Sequence, residues 1–193
     1  MKLQAKILVL MATIVGLGSF ALATAHEEEY LKKRCGNTCI DQMDYYKPES
    51  PLSLAEQFVV QAYTRSNKVE DDIIFRSALN KIPDTKIRGF RGGSATWLNI
   101  KEVGQVVKVK YFTGISADKE IAINFVKDQL LVIKAVTAKD ISGYSALNEK
   151  ELILRPGTVL RVDKIATTKV NFYTDGKNDI REVRLIELTE LPQ

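Results

Sequence analysis

The stretch Asn148-Glu149-Lys150-Glu151 puts two carboxylates one residue apart, immediately before Leu152-Ile153-Leu154 and a Pro156-Gly157 turn. Where a strand begins, such a pair can point to one face, because strand side chains alternate with a period of two. Acidic residues beside strands are commonly solvated surface, so the pair acquires meaning only with partners elsewhere in the chain. Two islands supply them. Phe90-Arg91-Gly92 sets an arginine on a predicted strand that runs into glycines, and Phe112-Thr113-Gly114-Ile115-Ser116 lies where a strand gives way to a helix. Arginine suits a planar, bidentate grip on phosphate or carboxylate. A carboxylate held against a sugar stabilises positive charge developing on an oxocarbenium-like carbon. The combination points to chemistry at a glycosidic bond of a phosphorylated substrate. His26 is the only histidine and stands near the predicted mature N-terminus. Mechanisms with an imidazole in the fold are therefore excluded, among them Ser-His-Asp and Cys-His hydrolysis and histidine-ligated metal centres.

The elements that must position these residues are legible as helices first and strands later. Ser53-Leu54-Ala55-Glu56 is a capping box, followed by Leu54, Phe58, Val59 and Ala62 at helical spacing. A second helix is predicted from Asn67, with Glu70 three residues on, through Ile73, Ile74 and Ala78, and Pro83 stops it. Strands are predicted at Ile87–Arg91, Val106–Phe112, Leu130–Val136, Val159–Ile165, Thr168–Tyr173 and Ile180–Leu188, with Asp175-Gly176 as a hairpin turn. Ser116 can cap a short helix bearing Ile121, Ala122 and Phe125. This order describes an α+β domain with mostly antiparallel strands.

The 193 residues suffice for one domain with a real core. Net charge is +4 with 28 basic and 24 acidic residues, too even to argue for nucleic acid. Residues 1–25 read as a cleavable signal: Lys2 and Lys6, an apolar run from Ile7 to Leu22, then Ala23-Thr24-Ala25. The run is short for a membrane anchor, which needs about 20 residues, so an exported protein without a stable membrane anchor is expected. Residues 26–52 read as a polar leader or linker ending in Pro48 and Pro51, and 53–193 as the domain. In an exported chain the only two cysteines, Cys35 and Cys39, are expected to form a local disulfide rather than a metal site.

Over about residues 53–190 the chain resembles the mono-ADP-ribosyltransferases of the Arg–Ser–Glu type, which include bacterial toxins and animal ecto-enzymes. Arg91 with Gly92 resembles the family's aromatic-Arg-Gly element. Phe112–Ser116 followed by Ala117-Asp118-Lys119 resembles its Phe-x-Ser-Thr-Ser strand. Asp140-Ile141-Ser142-Gly143-Tyr144-Ser145, then Glu149 to Thr158, resembles its Glu-x-Glu block; Tyr63-Thr64 is a minor further similarity. The resemblance implies two packed, mostly antiparallel sheets with NAD, as substrate, in a cleft between them and no metal. It implies that arginine grips NAD, that Phe112, Gly114 and Ser116 line its site, and that Glu151 binds the nicotinamide ribose as nicotinamide leaves. Glu149 would position and deprotonate the acceptor, expected to be a protein arginine.

Arg88-Gly89 offers a second Arg-Gly; three apart on one strand, Arg88 and Arg91 face opposite ways, and the aromatic before Arg91 favours the latter. Where the family has Ser-Thr-Ser, this chain has Gly114-Ile115-Ser116. The missing first serine removes an orienting hydrogen bond, at roughly 1–3 kcal/mol of positioning. Two alternatives to protein transfer follow: an NAD glycohydrolase with water as acceptor, and a secreted binding protein with weakened catalysis.

Overall fold

A computed structural model describes residues 25–44, 46–94, 96–145, 147–174 and 177–192. The expected signal lies, apart from residue 25, outside the described residues, as does the Asp175-Gly176 turn. Among the described residues no helix is long and apolar enough to cross a membrane.

Residues 25–34 form helix α1, followed by two short 3-10 turns, Gly36–Thr38 and Ile40–Gln42, and the Cys35–Cys39 disulfide. This region does not behave as the linker its polar composition suggests. Tyr30, Cys39, Met43 and Leu52 are buried in the same cluster as Phe58, Val59 and Tyr63. Tyr30 meets Phe58 edge-on at 6.2 Å. Polar anchors complete the dock: Tyr30 and Arg34 both donate to Glu70, and His26 lies 2.9 Å from Asp71. Few apolar residues, widely spaced, are enough to bury one face of an otherwise solvated segment.

Helix α2, Leu54–Ser66, starts at the expected capping box, Ser53 Oγ accepting from the Glu56 amide and Glu56 Oε2 from the Ser53 amide. Helix α3 starts later than predicted, at Asp72. Asn67 ends α2 instead, at φ 55, a left-handed position that asparagine tolerates. The start of α3 is set by Asp71, whose carboxylate accepts the amides of Ile73 and Ile74.

The strands are β1 (Asp84–Gly93), β2 (Val106–Lys108), β3 (Thr113–Ser116), β4 (Gln129–Asp140), β5 (Glu151–Leu154), β6 (Val159–Thr174) and β7 (Lys177–Glu190), with helix α4 (Lys119–Ile123) between β3 and β4. Two predicted strands, Val159–Ile165 and Thr168–Tyr173, are one, since nothing at Ala166-Thr167 breaks the extended chain. The predicted Val106–Phe112 strand keeps only three residues in the ladder. Beyond them Val109 still bonds Thr158 O, and the chain then turns toward β3.

Hydrogen bonds run through seven strands in the order β1-β3-β5-β4-β7-β6-β2, a mostly antiparallel arrangement that follows the N-terminal helices, as expected of the α+β class; the two packed sheets expected are linked in one ladder. β1 also pairs directly with β4, Asp84 to Gly93 against Lys139 to Gln129. The β3–β5 ribbon is attached at its ends, to β1 by Phe90–Ser116 and to β4 by Lys139–Ile153 and Asp140–Leu152. The β4–β7 pairing is parallel and the others are antiparallel. Ile115, Leu131, Ile133, Leu152, Leu154, Leu160 and Ile186 fill the core of this sheet. A second core joins the helices to it through Phe75, Leu79, Ile141 and Ile153. The β3–β5 ribbon, β1 and α4 therefore meet around one cleft.

Candidate active site

β1 carries Arg91 into that cleft. Its guanidinium is largely buried, donates from Nη1 to the Gly114 carbonyl at 2.5 Å, and lies 4.9 Å from the Trp97 ring. Burial pulls its pKa down, while the charges of Tyr63 and Glu151 hold it up. Gly92 follows because no other residue fits. A Cβ there would collide with the backbone at Ala122, Phe125 and Val126, the segment running from α4 that walls the cleft.

β3 and β5 set the acidic side. Ser116 pairs with Glu151 and Gly114 with Ile153, so strand register fixes Glu151 opposite Ser116, diagonal to the Gly114 whose carbonyl accepts from Arg91. Glu149 reaches the same cleft by another route than the strand alternation expected for the pair. β5 begins only at Glu151, and Lys150 has φ 48, in the left-handed region. A turn, not a strand, brings Glu149 round.

Glu151 is buried, and its Oε2 has no hydrogen-bond partner among the described residues. Burial, then the neighbouring Glu149 charge, push its pKa up to about 7 against a partial offset from Arg91. Glu149 is half-exposed and is raised by desolvation. Tyr63, from α2, is buried close by; its hydroxyl is raised first by burial and then by the Glu151 charge.

Gly114 leaves more than a missing hydroxyl. A Cβ at this position would clash with Glu151 Oε1, so the carboxylate packs onto bare backbone where a serine side chain would otherwise stand. Ser116 has a task other than capping α4. Its hydroxyl donates to the Glu149 carbonyl at 2.7 Å and accepts the Asp118 amide, while Asp118 caps the helix through the Glu120 amide.

Arg91, Gly92, Gly114, Ser116, Glu149 and Glu151 thus line one cleft, with Phe90, Asn67, Ile121, Ala122 and Phe125. Two candidates stay outside it. Arg88 is exposed on the other face of β1 beside Lys119, Leu130 and Val132, as the three-residue spacing from Arg91 requires. Phe112 packs edge-on against Phe75 at 4.9 Å in the helical core, where its aromatic ring is better buried than in a polar cleft. Sequence reasoning did not single out Asn67 or Trp97 for the site. Asn67 was read as the start of a helix rather than the end of one, and Trp97 lies in a turn with no pattern to mark it.

The described residues fit NAD as a ligand. Arg91 supplies a cation with a planar fork of donors for phosphate. The orphan Glu151 Oε2 is a buried acceptor that a ribose hydroxyl would satisfy. Ile121, Ala122 and Phe125 offer an apolar wall to a flat ring.

Similarity to known proteins agrees with the geometry. Exoenzyme S from Pseudomonas aeruginosa, solved with human 14-3-3 protein beta and carba-NAD, is 20% identical with a TM-score of 0.66, over 87% of this chain and 88% of that one. The ADP-ribosyltransferase Vis from Vibrio splendidus, solved with agmatine, is 19% identical with a TM-score of 0.53, over 80% and 90%. Plx2a, an ADP-ribosyltransferase toxin from Paenibacillus larvae, is 13% identical with a TM-score of 0.53, over 87% and 96%. At these identities the likeness is one of fold. No curated protein sequence matches the chain. The family model described as NAD:arginine ADP-ribosyltransferase matches residues 52–176, more than half of the chain, and the protein belongs to that family, with NAD as its substrate.

Proposed function

We propose that the protein is an exported mono-ADP-ribosyltransferase that moves ADP-ribose from NAD to an arginine side chain of a protein, releasing nicotinamide. The observation that carries this reading is the meeting of Arg91, Glu149 and Glu151 in one cleft, with a buried Glu151 oxygen that has no partner among the described residues. The cleft encloses about 100 Å3, below the roughly 300–1,000 Å3 of a pocket that swallows a whole ligand. It suits the nicotinamide end of NAD, the remainder lying along the open mouth with its phosphates toward Arg91. Glu151 accepts a ribose hydroxyl and, as a carboxylate, offsets the positive charge that develops on the sugar as the glycosidic bond breaks. Arg91, held by Gly114 O and Trp97, orients the phosphates. Glu149, nearer solvent, receives the proton of an incoming guanidinium.

Arginine as acceptor is supported by the family description and by the agmatine bound to Vis, a small guanidine ligand. Export is supported by the N-terminal signal pattern and the Cys35–Cys39 disulfide. The purified protein should release nicotinamide from NAD and label agmatine. Glu151→Gln should lower both by roughly a hundredfold or more, and unchanged rates would remove Glu151 from this role. Glu149→Gln should lose transfer and keep much of the NAD hydrolysis; equal loss of both would remove the acceptor role of Glu149.

A further inference from the structure

Between the two glutamates stands Lys150, at φ 48 with no glycine or asparagine chemistry to favour it. A left-handed residue of this type is strained, and such strain persists only where surroundings impose it. Here the surroundings are one stretch, residues 116–118. Ser116 Oγ donates to Glu149 O at 2.7 Å, the Ala117 amide donates to Lys150 O at 2.9 Å, and Lys150 Nζ meets Asp118 Oδ2 at 2.8 Å. Asp118 uses its other oxygen to cap α4, accepting the Glu120 amide at 3.0 Å. One carboxylate therefore ties the glutamate turn to the short helix whose Ile121 and Ala122 wall the cleft.

We infer that the Asp118–Lys150 pair is a positioning strut that holds the 148–150 turn in its left-handed conformation and so sets how much ADP-ribose goes to the acceptor rather than to water. The geometry separates the two glutamates. Glu151 is fixed by its pairing with Ser116 in the β3–β5 ladder and does not depend on the strut. Glu149 precedes the ladder, and its direction depends on the Lys150 backbone. If Lys150 relaxes to negative φ, Glu149 swings off the cleft while Glu151 stays. Cleavage of NAD then continues and capture by the acceptor fails. This rests on the reading of Glu149 as the acceptor-orienting group.

The test compares Lys150→Ala, Asp118→Asn and Lys150→Gly, using full-length mature protein with NAD and agmatine. Lys150→Ala and Asp118→Asn should lower the ratio of agmatine transfer to NAD hydrolysis by roughly tenfold, the scale on which a small misplacement acts, with KM for NAD unchanged. Lys150→Gly, which adopts positive φ freely, should retain more of the ratio than Lys150→Ala. Amide exchange at Ala117, whose partner is Lys150 O, should quicken by about tenfold in Lys150→Ala as the turn opens. An unchanged ratio, or equal loss of transfer and hydrolysis, would overturn the strut. A wild type that neither cleaves NAD nor labels agmatine would overturn the functional reading instead, and unchanged Ala117 exchange would then still refute the strut.

Discussion

At the scale of single residues, the site is governed by where charge is kept from water. Glu151 titrates at about 7 because it is buried and because Glu149 stands beside it. In the proposed mechanism its carboxylate form stabilises the cationic sugar, so kcat/KM for NAD should fall as pH drops below about 7, a quantity that reports the free enzyme. Glu149→Gln removes the raising charge and should move that inflection to lower pH; an inflection that stays in place would sever the coupling. The same burial has a cost in stability. The folded state holds the Glu151 proton more tightly than the unfolded chain, so this group's contribution falls as pH rises from about 4.5 to about 7. The shift corresponds to on the order of 3 kcal/mol at 1.36 kcal/mol per pH unit. Glu151→Gln should therefore unfold at higher denaturant than the wild type at pH 8, and the difference should shrink toward pH 4.5.

At the scale of elements, β1, the β3–β5 ribbon and α4 act as one frame. Gly92 lets the backbone after α4 lie directly on β1 beside Arg91, with no room for a methyl group. Gly92→Ala should cost about 1–3 kcal/mol by overpacking, read as a lower denaturation midpoint. It should also weaken NAD binding, because the apolar wall and Arg91 are forced apart. Gly114 belongs to the same frame. The carboxylate of Glu151 occupies the space over it, where a Cβ would stand. Pattern alone placed α3 and β2 differently, α3 because Asp71 caps better than Asn67, and β2 because the chain must turn early to reach β3.

At the scale of the whole molecule, the segment before α2 is part of the fold. Tyr30, Met43 and Leu52 are buried against α2, and burying a large apolar side chain contributes roughly 1.5–3 kcal/mol. A chain beginning at Ser53 should therefore lose several kcal/mol against one beginning at His26, measured as a lower melting temperature or loss of cooperative unfolding. Reduction of Cys35–Cys39 should do less, since the bridge spans a sequence separation of four and closes a short loop.

The residues by themselves determined the kinds of group available and their order along the chain: an arginine on a strand that runs into glycines, a serine at a strand end and a carboxylate pair, with no imidazole in the core. Capping and alternation located α2 and most of the sheet, because these are local effects of hydrogen bonding and burial. That only one of Arg88 and Arg91 can face the cleft was also accessible, since a three-residue step on a strand reverses the face. What only the tertiary structure decided depends on contacts between distant segments. Lys150 is left-handed because residues 116–118 hold it so, and Glu149 joins Glu151 through that turn. Trp97 stands behind Arg91, and Gly114 gives its space to a buried carboxylate. The two glutamates that read as a strand pair are thus held by different means, one by sheet register and one by a strained turn.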